Sequence, residues 1–239
     1  MWRVKRVSIY LLHGLTVSAL ALLIILIRRG RRDIALMSGL AAAPLGLLDA
    51  LFVLDYWNPP HVLGPLFSIE GMLFSFGNGV LLWVIAEFPF RGRLENSFRY
   101  RVFIRHLLIY GAVAMAVIIL LWNKTLGLTN LPLMSATILA LLVVGAALLI
   151  QHPGLLPFSL AGGVGFCLFY TAQLAILSRL SPEFASFWYA GVRDGFTVFS
   201  YPIEELAWAM AYGAIWTIVI GAGSGVYLFD SRSPPVGNG

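Results

Sequence analysis

Tyr201-Pro202-Ile203-Glu204-Glu205-Leu206-Ala207-Trp208 opens an apolar run that continues to residue 228. A proline fixes the entry, two carboxylates occupy the first turn, and some twenty mostly apolar residues follow. That pattern describes a helix that starts in a polar loop and crosses a bilayer. Six further runs of similar length cover 7–27, 34–54, 63–88, 103–122, 131–150 and 155–177. The fifth and sixth runs are divided by Gln151-His152-Pro153-Gly154, a polar turn with helix breakers. Composition agrees. The chain of 239 residues is 59% hydrophobic, about 140 residues, which is roughly what seven spans of about 20 residues need. Only 11% are charged, against about 25% in soluble domains. The expected fold class is all-α: a polytopic membrane protein with seven transmembrane helices.

Arg3, Lys5 and Arg6 precede the first run in the manner of a signal peptide. The run exceeds the h-region of about 7–15 residues, and no small-residue cleavage site precedes Arg28, so it reads as a retained span. The net charge of +5 comes from short basic clusters between apolar runs. Such clusters set orientation in a membrane, so no nucleic-acid partner is expected. The N-terminus and the loops after spans two, four and six carry six basic residues, and the opposite side carries ten. The richer side is expected to be cytoplasmic, with the N-terminus outside, the C-terminus inside, and the plasma membrane as the location. The single Cys167 excludes a disulfide framework. His13, His61, His106 and His152 lack the spacing of a metal site, and no metal or cofactor is expected. Residues 231–239, rich in Pro and Gly, read as a disordered tail.

Most of the 11 acidic residues fall in loops or at span ends, where water solvates them, and Glu87 is expected to reach the interface by snorkelling. Asp49, Glu70, Glu204 and Glu205 sit within or at the mouth of apolar helices. An acid at mid-span costs on the order of 2.5–3.5 kcal/mol on insertion scales and therefore faces a bundle interior or cavity. The alternative for each is a helix-start carboxylate favoured by the helix dipole.

These acids belong to an internal repeat. Tyr56-Trp57-Asn58-Pro59-Pro60-His61 leads to Ser68-Ile69-Glu70-Gly71, and Phe187-Trp188-Tyr189 leads to Tyr201-Pro202-Ile203-Glu204-Glu205. Trp57 precedes Glu70 by 13 residues, and Trp188 precedes Glu204 by 16. The expected organisation is a first three-helix unit over 1–90, a linker helix within 91–128 and a second three-helix unit over 129–230. An odd linker leaves both units in the same orientation, so the two Ile-Glu helices enter from the same face.

At these residues the chain resembles the integral-membrane lycopene cyclases, a carotenoid-cyclising family, in their fused two-unit form. Units of that family carry an aspartate at the end of the second span, a tryptophan-rich loop and Pro-x-Glu-Glu opening the third. The second unit has the complete Pro202-Ile203-Glu204-Glu205, and the first has Asp49, Trp57 and Ile69-Glu70. Ser68 and Gly71 stand where proline and the second glutamate would be, and the second unit has no acid equivalent to Asp49.

The resemblance implies redox-neutral cyclisation of a linear polyene, with lycopene the expected substrate. An acid protonates a terminal alkene, an internal double bond attacks the cation, and a base removes a proton. Burial in lipid keeps a carboxyl protonated, and a second carboxylate nearby reinforces this. Glu204 or Glu205 is the expected donor, with Glu70 or the remaining glutamate as base. Trp57, Trp188, Tyr189, Phe74, Tyr201 and Trp208 are the candidate faces for the cation, although aromatics at span ends also form interfacial belts. Asp49 and Pro202 are expected to support the site. The implied partners are an isoprenoid or carotenoid substrate, the bilayer and other carotenoid-pathway enzymes. No lysine lies in the seventh run, which excludes a retinal Schiff base there, and no Asp-x-x-Asp pair is present to bind a diphosphate through magnesium. A proton-coupled transporter and a non-catalytic polyprenyl-binding protein remain as alternatives.

Overall fold

The computed structural model describes residues 8–28, 31–53, 55–91, 93–96, 99–122, 131–193 and 195–228. Among them seven helical spans are long and apolar enough to cross a membrane. In chain order, spans one to seven are Ile9–Ile27, Arg32–Phe52, Pro65–Phe90, Tyr100–Trp122, Leu133–Gln151, Pro153–Leu180 and Ile203–Gly223. The chain is an all-α polytopic membrane protein. Of the charges used for orientation, Arg3, Lys5, Arg6, Arg29, Lys124 and Arg232 lie outside the described residues, as does the tail at 231–239.

Six of the seven expected runs coincide with a span to within a few residues. The seventh ends early. The Ser224 amide bonds back to the Ile220 carbonyl, and Gly225 turns the chain at φ 61°, a conformation a glycine adopts without a Cβ clash. Val226–Leu228 then pairs antiparallel with Leu94–Asn96. A short apolar strand following an apolar helix is indistinguishable from more helix by hydropathy alone.

Span two changes pitch at Pro44, which lacks the N–H of a continuous α-helix. Ala43–Leu48 forms a tighter 3-10 stretch before the last turn, Asp49–Phe52. That stretch brings Gly46 against the backbone of Gly71 on span three, where a Cβ would overlap it. Lipid tails are as apolar as Leu, so helices in a bilayer associate through such close packing and through hydrogen bonds.

Spans one and two pack on span three, and spans five and six pack on span seven, so the third helix of each triplet is central. Spans three and six join the triplets, with Trp83 and Phe158 edge to face at 5.1 Å. Span four leans on spans five and seven and otherwise faces outward. Glu87 differs from the expectation of a snorkelling acid. It is buried and paired with Arg28 and with Arg31 at 3.2 Å, so two neighbouring guanidinium groups replace the water it would otherwise need. Arg31 also donates to the Leu94 carbonyl, tying the strand pair to that end of the bundle.

Candidate functional site

A cavity of about 610 Å³ lies between the two triplets, walled by both of them and by span four. Its wall on span seven is a stripe: Glu205, Trp208, Tyr212, Ile215, Trp216 and Val219. Steps of three and four residues keep side chains on one helix face. Trp208 and Tyr212 stack at 5.2 Å with rings nearly parallel, and Tyr212 and Trp216 follow at 5.6 Å. The ladder is anchored at its far end, where Trp216 Nε1 donates to Ser38 Oγ at 2.9 Å.

Glu205 heads this stripe and is only 4% exposed. Its Oε2 accepts the Tyr170 hydroxyl at 2.7 Å, and its Oε1 accepts Trp188 Nε1 at 2.9 Å. Tyr170 comes from span six and Trp188 from the loop before span seven, so three separate segments converge on one carboxyl. The buried Tyr56 hydroxyl lies close to the same carboxyl. Burial above all raises its pKa.

The first triplet presents a second carboxyl. Asp49 Oδ2 accepts the Tyr10 hydroxyl and the Ser68 hydroxyl, each at 2.7 Å, and His61 Nε2 stands 3.5 Å away. Ser68 also caps span three by accepting from the Gly71 amide at 2.9 Å. A Cβ on Gly71 would collide with Asp49 Oδ2. Aligning the Ile-Glu pairs makes Gly71 the counterpart of Glu205. Where the second triplet carries a glutamate, the first leaves room that Asp49 fills from span two. Each triplet thus holds one buried carboxyl bonded to a buried tyrosine. Phe74 lies between them, with its ring 6.5 Å from Tyr10 and 6.2 Å from Tyr170.

The two tryptophan loops close the end of the cavity together. Trp57 and Trp188 form an antiparallel backbone bridge, flanked by Asn58 N–H to the Phe187 carbonyl at 2.7 Å and Tyr189 N–H to the Tyr56 carbonyl at 3.1 Å. Their rings lie 5.3 Å apart, and Trp57 meets Tyr10 edge on at 4.9 Å. The loops that match in sequence are therefore bonded to each other in space.

A third polar feature crosses the bundle beneath them. The Phe74 carbonyl can only accept, so Asn78 Nδ2 donates to it at 3.1 Å. Asn78 Oδ1 then accepts from Gln173 Nε2 at 3.0 Å, and Gln173 Oε1 accepts from His13 Nε2 at 2.9 Å. One carbonyl thus fixes every donor in the chain and assigns the Nε2–H tautomer to His13.

Of the residues expected from sequence, Glu205, Asp49, Trp57, Trp188, Phe74 and Trp208 line the cavity. Glu70, Glu204, Tyr189, Tyr201 and Pro202 are not on its wall. Glu70 is fully buried and accepts the Val62 amide at 2.7 Å, closing the loop ahead of span three. Glu204 is half-buried one position before Glu205, and adjacent helical residues point about 100° apart. Tyr189 donates to the Val53 carbonyl at 2.6 Å. Tyr201 is buried behind Trp188, 5.0 Å away, while Pro202 is the residue from which span seven starts. Tyr10, Tyr170, Tyr212 and Trp216 were not expected. Tyr212 and Trp216 had a sequence signal in their spacing of four and eight from Trp208. Tyr170 offered only a phenol in the middle of an apolar run, where a hydroxyl needs a partner.

No family model, curated protein or solved structure matches the chain. Among the described residues, no group of three or more His, Cys, Asp and Glu side chains could hold a metal ion.

Proposed function

We propose that the chain is an intramembrane, acid-catalysed cyclase of a linear polyene, with the end groups of lycopene as the substrate. One observation carries this: two buried carboxyls, Glu205 and Asp49, lie on the wall of a single apolar cavity lined with aromatic rings. Cyclisation needs a proton donor, a proton acceptor and a place where a cation survives, and this cavity offers all three.

Glu205 is the donor in this proposal. It gives its proton to the terminal alkene, the internal double bond closes the ring, and Asp49 takes a proton from the resulting cation. One proton enters and one leaves, so substrate and product are isomers and no electrons are exchanged. Tyr170 and Trp188 stabilise the carboxylate that Glu205 becomes, because hydrogen bonds to a charged acceptor are stronger than those to a neutral one. Trp57, Trp188, Phe74 and Trp208 turn ring faces or edges toward the same space. A cation over a desolvated ring face gains roughly 0.5–2 kcal/mol, and a ring does not trap it as water would. Glu70 and Glu204 lie off the wall, and Glu70 closes the loop ahead of span three.

The plasma membrane is the proposed location, and the basic-residue count supports an orientation with the N-terminus and tryptophan loops outside and the C-terminus cytoplasmic. The test is expression in cells that accumulate lycopene, followed by pigment analysis. Ringed products are expected with the unaltered chain and a severe loss with Glu205→Gln or Asp49→Asn. Wild-type conversion by both variants, each present in the membrane, would overturn the proposal.

A further inference from the structure

The cavity wall is incomplete on one side. Pro44 and Leu45 of span two and Leu108 and Gly111 of span four line the cavity, and all four are also exposed, Leu108 to 67%. At the loop end Leu51 and Phe52 of span two and Met115 and Trp122 of span four pack on one shared core of Ile118, Leu133 and Ala140, and Trp122 Nε1 donates to Asp55 at 3.2 Å. At the other end the Trp216–Ser38 bond ties span seven to span two. Between these two closures the gap is bordered by Leu, Pro and Gly within the spans, where the surroundings are lipid.

We propose that this gap is a lateral doorway, and that its occupant is the tail of the linear polyene whose end group sits beside Glu205 and Asp49. The proposal rests on the cyclase reading. A carotenoid long enough to cross a bilayer has most of its length beyond the end group that reacts, so an end group bound beside the carboxyls requires a path for the rest of the chain. An apolar exit into lipid lets the tail remain in apolar surroundings throughout, and no polar group is stripped of water on entry. The site therefore selects a class of substrate: a reactive end group on an apolar chain of indifferent length.

Gly111 provides the test. A Cβ there meets no atom within 4 Å, so Gly111→Phe narrows the doorway without a clash at its first atom. Gly154, likewise open but off the cavity wall, supplies Gly154→Phe as the control. Binding is read by quenching of tryptophan fluorescence with two ligands in lipid nanodiscs: lycopene, and a short acyclic alkene of end-group size. Gly111→Phe is expected to weaken lycopene binding roughly tenfold or more, the scale at which one misplaced group is felt in an apolar pocket. The short alkene, measured by its competition with residual lycopene, should be unaffected, and Gly154→Phe should change neither. Equal weakening of both ligands, or weakening of neither, would overturn the doorway. Lycopene that binds to the unaltered protein without forming rings would overturn the cyclase reading instead, while the same quenching still decides the doorway.

Discussion

Removing one hydroxyl from Tyr170 separates the carboxylate-stabilising role proposed for that residue from its packing. Tyr170→Phe keeps the ring, which stacks on Phe166 at 6.0 Å and meets Trp208 at 5.6 Å. It deletes only the 2.7 Å bond to Glu205 Oε2. Such a bond contributes about 0.5–1.5 kcal/mol to a neutral acceptor and about 1.5–3 kcal/mol to a charged one. If Glu205 is neutral before the proton transfer and charged after it, the lost difference is about 1–1.5 kcal/mol. It falls on the product side of that step, which makes conversion slower by roughly tenfold. Glu205→Gln removes the proposed proton donor itself and should cost about a hundredfold or more. The assay is turnover of lycopene in nanodiscs at matched protein, with thermal unfolding alongside. Unchanged turnover in Tyr170→Phe, with the fold intact, would refute the argument that the tyrosine stabilises the charge left on Glu205.

Other outcomes follow from the same geometry. Gly46→Ala forces a methyl into the Gly71 backbone, and thermal unfolding should show a loss of about 3 kcal/mol or more. Ser68→Ala deletes the cap of span three and a donor to Asp49, so a loss of about 1–2 kcal/mol is expected in the same measurement. Gln173→Leu strands His13 Nε2 and Asn78 Oδ1, with an expected cost of about 2–4 kcal/mol. Adding His13→Phe and Asn78→Leu should recover part of that stability, since replacing all partners by apolar groups removes the unpaired ones.

The spans were legible because an apolar run of about 20 residues has few other uses. The end of the seventh was not, because Val226–Leu228 continues the hydropathy while Gly225 turns the backbone. The pairing of the Trp57 and Trp188 loops was foreshadowed by their match in sequence, and Glu205 by the motif that contains it. What the motif could not reveal is which glutamate faces inward. Ile69-Glu70 and Ile203-Glu204 align well, yet the inward position is the next one along, Gly71 and Glu205. The acid of the first triplet therefore comes from Asp49, which lies 22 residues before Gly71. Tyr10 and Tyr170 stayed hidden for a related reason. They lie 39 and 35 residues from the carboxyls they bond, distances set by helix packing rather than by any local pattern.

The central claim is that a carboxyl exchanging its proton with water gives that proton to a polyene and the ring retains it. The most direct measurement is the mass of the cyclised product formed by the purified protein from lycopene in D2O. One deuterium for each ring formed is the expected result, with none in unreacted lycopene. Rings formed without deuterium, or no rings from a protein that binds lycopene, would contradict it.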